Sequence, residues 1–486
     1  MKLPAMKLRY WVGLTFLGLL LTVAVAFAVA DHRSRSYLAS VRADVAAAGL
    51  PGTVAELVQR RGDVGNNLGE VYLSAARTLD VSVTPRPVWD VEPIWLALAP
   101  ETATGSEWIL MPPEVDAGVL AEWAAELDEP TRAQLDAALA ADTSLPLVRL
   151  IVEHEQAAAA DVAAALDELG ERLPGDPGAV RARFPKASDP AGSLVTLDLE
   201  WVAGLRALAS FERDRVVALA RQGRRGEALR HVGRIRSLGL ALQADAETVV
   251  EWLVGMGIEQ VGLAILYELA PHLEIGDLAR AELSKLAREL ADTRDLLPRR
   301  LSSLDGELAL KSADLDDVVD NANFVMRPML RGNVARATAY LLSHRQAVAK
   351  APTLPALRES FEPPAWLDDG SIWSTPASLF AGDMRPYDTT YFRHVASRRM
   401  TAVAVAAAGY RVERGRLPAT LSDLVPDYLT EVPVDPMAVE APLKLGVSQD
   451  GRPIVYSVGE DGVDDLGGGD DGVVYLDPGP PGGWGG

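Results

Sequence analysis

The sequence predicts a mainly α protein with an N-terminal transmembrane helix, an irregular helical hairpin stack, and a small α+β C-terminal module with a short antiparallel sheet. Three observations predict it. Residues 11–30 are apolar and carry no charge. Long Ala- and Leu-rich stretches repeat apolar residues every three or four positions. After Tyr391 that texture gives way to short apolar runs between turn residues.

The bulk properties narrow the function classes. A chain of 486 residues exceeds what one core normally organises, so two or three domains are expected. With 48% hydrophobic but only 6% aromatic residues, packed helices are favoured over sandwiches or barrels. A net charge of -21 repels phosphate backbones, so nucleic acid is not an expected partner. The absence of cysteine excludes disulfides, thiolate metal sites, cysteine nucleophiles and a lipoprotein-type acyl anchor.

At the N-terminus, Lys2, Lys7 and Arg9 precede the apolar run from Trp11 to Ala30. Twenty residues at about 1.5 Å each span a hydrocarbon core of about 30 Å. Positive charge ahead of the run places the N-terminus in the cytoplasm, although Arg33 and Arg35 beyond it reduce the asymmetry. The expectation is a single-pass protein of the inner (cytoplasmic) membrane, bound to it through residues 11–30, with its bulk on the periplasmic or extracytoplasmic side. Ala28-Val29-Ala30 also fits a signal-peptidase site, but the run is longer than the roughly 7 to 15 residues of a signal core.

Beyond the anchor, residues 37–48 read as a helix stopped by Gly49-Leu50-Pro51-Gly52, and Thr53 with Glu56 as a capping box opening the next. A further helix is expected near residues 67–79. Six prolines between Val81 and Pro113, with Trp89, Trp95 and Trp108, make a connector. Helix returns over residues 114–170, where Leu120, Trp123, Ala124 and Leu127 share a face. Pro174, Pro177, Pro185 and Pro190 mark a boundary.

The longest helical block follows. Leu197, Trp201, Leu205, Leu208 and Phe211 repeat at helical spacing up to a turn at Gly223 to Gly226, and Ala228, Val232, Ile235, Leu238 and Leu242 resume it. Helix, Gly-containing turn and antiparallel helix with small residues at the crossing is a hairpin-stack pattern, without a fixed 34-residue period. Residues 352–386 are loop-rich, with Trp366, Trp373 and Phe380 expected to seal them against the helices. The boundaries read are an anchor at 1–36, a helical subdomain with Pro-rich connectors at 37–192, the hairpin stack at 193–386, an α+β module at 387–477 and a flexible tail at 478–486.

In that module a helix carrying Val395, Met400, Val403, Ala406 and Ala407 leads to Tyr410 and then Gly415-Arg416-Leu417-Pro418-Ala419-Thr420-Leu421. Pro433-Val434-Asp435-Pro436 makes a turn, residues 442–445 and 454–458 read as strands, and Ser457-Val458-Gly459-Glu460-Asp461-Gly462 closes the order. This order resembles the C-terminal module of the major pseudopilin of type II secretion systems, over roughly residues 392–471, under a fifth of the chain. In that family the acidic loop after the last strands holds calcium, and the resemblance implies the same here. Pseudopilins place the module directly behind the membrane helix and carry a Glu early in that helix. Here about 350 mostly helical residues intervene, and residues 7–30 contain no Glu.

Glu460, Asp461, Asp464, Asp465, Asp470 and Asp471 put six carboxylates into twelve positions, interleaved with Gly462, Gly467, Gly468 and Gly469. So much like charge is unfavourable without a cation, and calcium suits hard oxygens at variable geometry. Asp461, Asp464 and Asp470 are the first expected ligands, with Asp465 and Asp471 next. A solvated acidic loop is the competing reading. Six histidines are scattered without a His-Glu-x-x-His frame, and no nucleophile elbow, Walker A loop or dinucleotide fingerprint is present, so no catalytic residue or organic cofactor is expected. Arg221, Arg224, Arg225, Arg230, Arg234 and Arg236 read as a solvated helix face.

These readings converge on a non-enzymatic, membrane-anchored, exported scaffold or interaction protein with protein partners, associated with a type II secretion or pilus-like system and stapled by calcium. The alternative is an exported enzyme of the hydrolase class with a site between helices.

Overall fold

A computed structural model describes residues 5–60, 67–82, 125, 129–140, 160–173, 177–184, 200–221, 223–274, 279–368 and 375–477. Helix α1 runs unbroken over Ala5–Ala47, fusing the expected anchor with the expected helix at residues 37–48. Asp31, Arg33 and Arg35 do not interrupt it, because charged residues at a helix surface leave its backbone bonds intact. Gly49, at φ +68, ends it in the left-handed region that glycine adopts freely. Phe16, Leu17, Leu19, Leu20 and Leu21 are exposed, whereas Ser34, Leu38, Val41 and Val45, at helical spacing, are buried.

Thr53 caps α2, Val54–Arg60, as Glu56 N donates to Thr53 Oγ1 at 3.3 Å, while the Glu56 carboxylate reaches back past Thr53 to accept from Gly52 N at 2.8 Å, a near variant of the expected capping box. Helices α3 (Gly69–Ser82), α4 (Glu129–Leu139) and α5 (Ala160–Arg172) follow. The Val81–Pro113 connector and the Leu120–Leu127 face lie outside the described residues, apart from the end of α3 and Ala125. So do Trp373 and the tail 478–486.

The helical body is built from α6 (Glu200–Arg221), α7 (Arg225–Asp245), α8 (Val249–Leu269), α9 (Arg280–Ala291), α10 (Leu296–Asn321) and α11 (Arg327–Val348). Helices α7 and α8 form a close hairpin. Gly239 and Gly255 face each other across it, and a Cβ on Gly239 would fall 2.5 Å from the Glu259 backbone nitrogen. Small residues at this crossing let the backbones touch, and Thr248 with Glu251 caps α8 reciprocally. Short helices α12 (Leu354–Ser360) and α13 (Thr375–Ala381) lead to α14, Arg385–Arg414. Trp366 stands edge-on to Tyr340 at 6.0 Å, sealing the loop as expected.

Three strands close the chain: β1 (Lys444–Val447), β2 (Pro453–Ser457) and β3 (Gly472–Tyr475). They form an antiparallel sheet in the order β1-β2-β3, with Leu445 opposite Val455 and Val455 opposite Val474. The sheet lies on α14, whose other sides meet α8 and α9. Buried side chains from Leu38 to Leu476 join one continuous core, so the module at 387–477 shares its interior with the helical body.

The arginine series corrects one expectation. Arg236 is 1% exposed and pairs with Glu289 at 3.0 Å, and Arg234 pairs with Asp167 at 2.8 Å. They lie on different faces of α7, Arg236 buried toward Glu289 and Arg234 half-buried against Asp167, a packing on two sides that composition alone does not reveal. Arg224 and Arg230 remain on the solvated side.

Candidate metal centre and the cavity beside it

Helix α14 positions the module. Gly415, at φ +71, ends the helix, and Thr420 with Asp423 caps a single 3-10 turn at Leu421–Leu424. Tyr428 then folds back, its hydroxyl donating to the Gly409 carbonyl at 3.1 Å. The Pro-x-Asp-Pro turn works through Asp435, which is fully buried. Its carboxylate accepts from Ser457 Oγ at 2.6 Å, Val458 N at 2.9 Å and Met437 N at 2.9 Å, tying the turn to the end of β2. Burial pushes its pKa up, and these three donors oppose that shift.

The acidic loop between β2 and β3 is organised by its own carboxylates. Asp471 accepts from Gly459 N at 3.0 Å, Asp465 N at 3.2 Å and Gly467 N at 2.9 Å. Asp470 accepts from Glu460 N at 2.6 Å. Glu460 turns out of the loop toward Arg358 of α12 and Arg393 of α14, which anchors the loop to two helices. Asp464 pairs with Lys444 of β1 at 2.5 Å, and that hydrogen bond holds its carboxyl below the usual range.

Of the five expected ligands, the structure brings together Asp461, Asp465 and Asp470, each offering an oxygen within 4.8 Å of the others, all exposed. Asp464 faces Lys444 and Asp471 faces backbone N–H groups, which moves Asp465 ahead of Asp464. The donor set suits a hard cation, since convergent carboxylate oxygens match calcium chemistry. Two glycines make room for it: a Cβ on Gly459 would lie 2.1 Å from Asp470 Cγ, and one on Gly469 2.0 Å from Asp465 Oδ2. The sequence could not assign the roles of Asp464 and Asp471, which depend on what β1 and the loop backbone present.

Comparison with protein-family models, with curated proteins and with solved structures finds no match. The geometry of the site therefore stands on its own residues.

Beside the loop lies a cavity of about 430 Å³, walled by α8, α14 and the ends of β2 and β3. Its lining is mostly apolar, with Met256, Met400 and Met437, and it includes His394, Ser397 and Asp470. Behind His394 sits Glu259, fully buried, accepting at 3.0 Å from the ring and at 2.9 Å from Gln243. Burial opposes the charge on Glu259, but Arg398, His394 and Arg236 around it hold its carboxyl far below the ordinary range.

Two further buried histidine–carboxylate pairs are His231 with Glu212 at 2.6 Å and His344 with Asp388 at 3.0 Å. Arg300 also binds Asp388, and its guanidinium lies 4.5 Å from the Tyr391 ring centre. None of these pairs was legible in sequence, because the partners stand 19 to 135 residues apart.

Proposed function

We propose that this chain is a membrane-anchored, exported, non-enzymatic scaffold that binds other proteins, associated with a type II secretion or pilus-like system, its C-terminal module stabilised by calcium. The observation that carries the reading is the acidic loop suspended between β2 and β3, with Asp461, Asp465 and Asp470 convergent. The exposed apolar half of α1 supports a membrane anchor, and the reading of an inner-membrane anchor with the body on the periplasmic side rests on Lys2, Lys7 and Arg9 ahead of it in the sequence. Calcium at Asp461, Asp465 and Asp470 would join the ends of the loop and add stability without chemistry.

The test is thermal unfolding of the full chain in detergent, with millimolar calcium against chelator. A higher melting temperature with calcium, absent with magnesium, supports the reading. Equal curves remove the calcium part of it.

An exported hydrolase is the second reading, favoured by one observation: the cavity wall holds His394 backed by Glu259, with Ser397 nearby. An imidazole oriented by a carboxylate is a general-base arrangement. Ester-hydrolysis activity that disappears in His394→Ala but persists in Arg358→Ala would establish it.

A further inference from the structure

We infer that the turn between α10 and α11, Ala322–Met326, is a second membrane contact that enters the bilayer interface beside α1. The inference rests on α1 spanning the membrane. Phe324, Val325 and Met326 are 71%, 56% and 40% exposed, three consecutive large apolar side chains on the protein surface. Such a patch marks an interaction site, and its position identifies the partner.

The position follows from α1. Phe27 lies three residues inside the end of the apolar run at Ala30, a depth of about 4.5 Å along the helix axis. The Phe324 ring stands edge-on to the Phe27 ring at 5.8 Å. A bilayer that covers Phe27 therefore reaches Phe324. One helical turn further along, Asp31 of α1 binds Arg331 of α11 at 2.5 Å and Arg35 at 2.6 Å. Arg331 of α11 thus stands level with Asp31, where α1 changes from apolar to charged, and the successive contacts show that the two helices run in the same direction.

The backbone of the turn is prepared for a water-poor environment. Asn323 Oδ1 accepts from Val325 N at 3.2 Å and Met326 N at 3.1 Å. Arg327 folds back, its Nε donating to the Ala322 carbonyl and its guanidinium to the Asp320 carbonyl, both at 3.0 Å. The cation that follows the turn is thereby occupied with the end of α10. Satisfying peptide groups internally is the condition for entering lipid. Asp317 and Asp320, both exposed, lie at the end of α10, ahead of the turn.

A cleft of about 340 Å³ between α1 and α11 repeats the same polarity gradient. Phe27, Ala30, Val325 and Met329 wall one part, while Asn333 and Arg336 line the other. Asn333 Oδ1 is buried without a hydrogen-bond partner among the described residues. This matches a lipid seated with its chains toward Phe27 and its polar part toward Arg336.

The test uses the absence of native cysteine. Full-length Phe324→Cys, Phe16→Cys and Val439→Cys are each labelled with a polarity-sensitive fluorophore. They are then reconstituted in phosphatidylcholine vesicles with and without nitroxide-bearing lipid. The inference expects blue-shifted emission at 324 and a fractional loss to nitroxide comparable with that at 16, while 439 is unaffected. Loss at 16 with 324 behaving like 439 overturns the inference and leaves the anchor intact. No loss at either 16 or 324 removes the anchor reading and the inference with it. A blue shift at 324 without nitroxide quenching means that protein, such as a second copy, covers the turn, and overturns the inference.

Discussion

Glu259 of α8 and His394 of α14 meet through a 3.0 Å hydrogen bond in the interior, where the helical body joins the C-terminal module. Arg398 reaches the same carboxylate and also Asp295, while Arg236 bridges toward Glu289. Removing the carboxylate leaves two buried guanidiniums short of a counter-charge. Glu259→Ala is expected to cost about 3–5 kcal/mol, the range for breaking a buried ion pair by deleting one partner. Urea unfolding of the full chain measures it. A change within about 0.5 kcal/mol, typical of surface positions, would refute a structural role for the pair.

His272 gives the protein a pH response. Burial, then the nearby Arg225, Arg411 and Arg452, push its pKa down to about 4 from 6.5. Between those values the unfolded chain binds a proton that the folded chain refuses, so stability rises with pH through this window and falls on acidification. His272→Gln should flatten the slope of unfolding free energy between pH 4 and 6.5 relative to the native chain. An unchanged slope would mean that His272 does not contribute.

The acidic loop separates two kinds of carboxylate. Asp461→Asn should abolish a calcium-dependent rise in melting temperature, worth about 2.7 kcal/mol at a hundredfold excess over Kd, with little effect in chelator. Asp471→Asn should destabilise with or without calcium, because its carboxylate serves three backbone N–H groups. Charged hydrogen bonds of this kind contribute about 1.5–3 kcal/mol. The contrast between the variants, read by differential scanning calorimetry, is the decisive quantity.

The α7–α8 crossing responds to a single methyl group. A Cβ on Gly255 would sit 2.8 Å from the Gln243 backbone nitrogen, which has no flexible end to swing away. Gly239→Ala and Gly255→Ala should each cost about 1–3 kcal/mol through overpacking. Gly233, on α7 with nothing within 4 Å of its Cβ position, is the control. Gly233→Ala should instead stabilise by about 0.5–1 kcal/mol through helix propensity.

Local signals carried the sequence reading well. The helical class, the apolar start of α1, the turn at Gly223 and the cap at Thr53 all rest on neighbours within a few residues. So did β2, expected at residues 454–458 and found at Pro453–Ser457. Strand β3 was missed because Gly472–Tyr475 is four residues long and follows an acidic run that masks its alternation. The buried Arg236 and the three histidine–carboxylate pairs were invisible for a different reason. Their environment is made by helices remote in sequence, and a charged residue on an amphipathic pattern reads as surface until its partner is known. Among the acidic residues, composition located the loop, but the pairing of Lys444 with Asp464 and the backbone N–H groups on Asp471 are what separate fold contacts from cation ligands.

Helix α1 has no joint between its apolar half and the half that enters the core. From Ala30 to Ala47 it extends about 25 Å at 1.5 Å per residue, and α11 lies along it. It acts as a mast and not as a leash. Whatever sets the tilt of the apolar half also sets the heading of the whole body. A change in the azimuth of that half would swing the C-terminal sheet through an arc instead of being absorbed by slack.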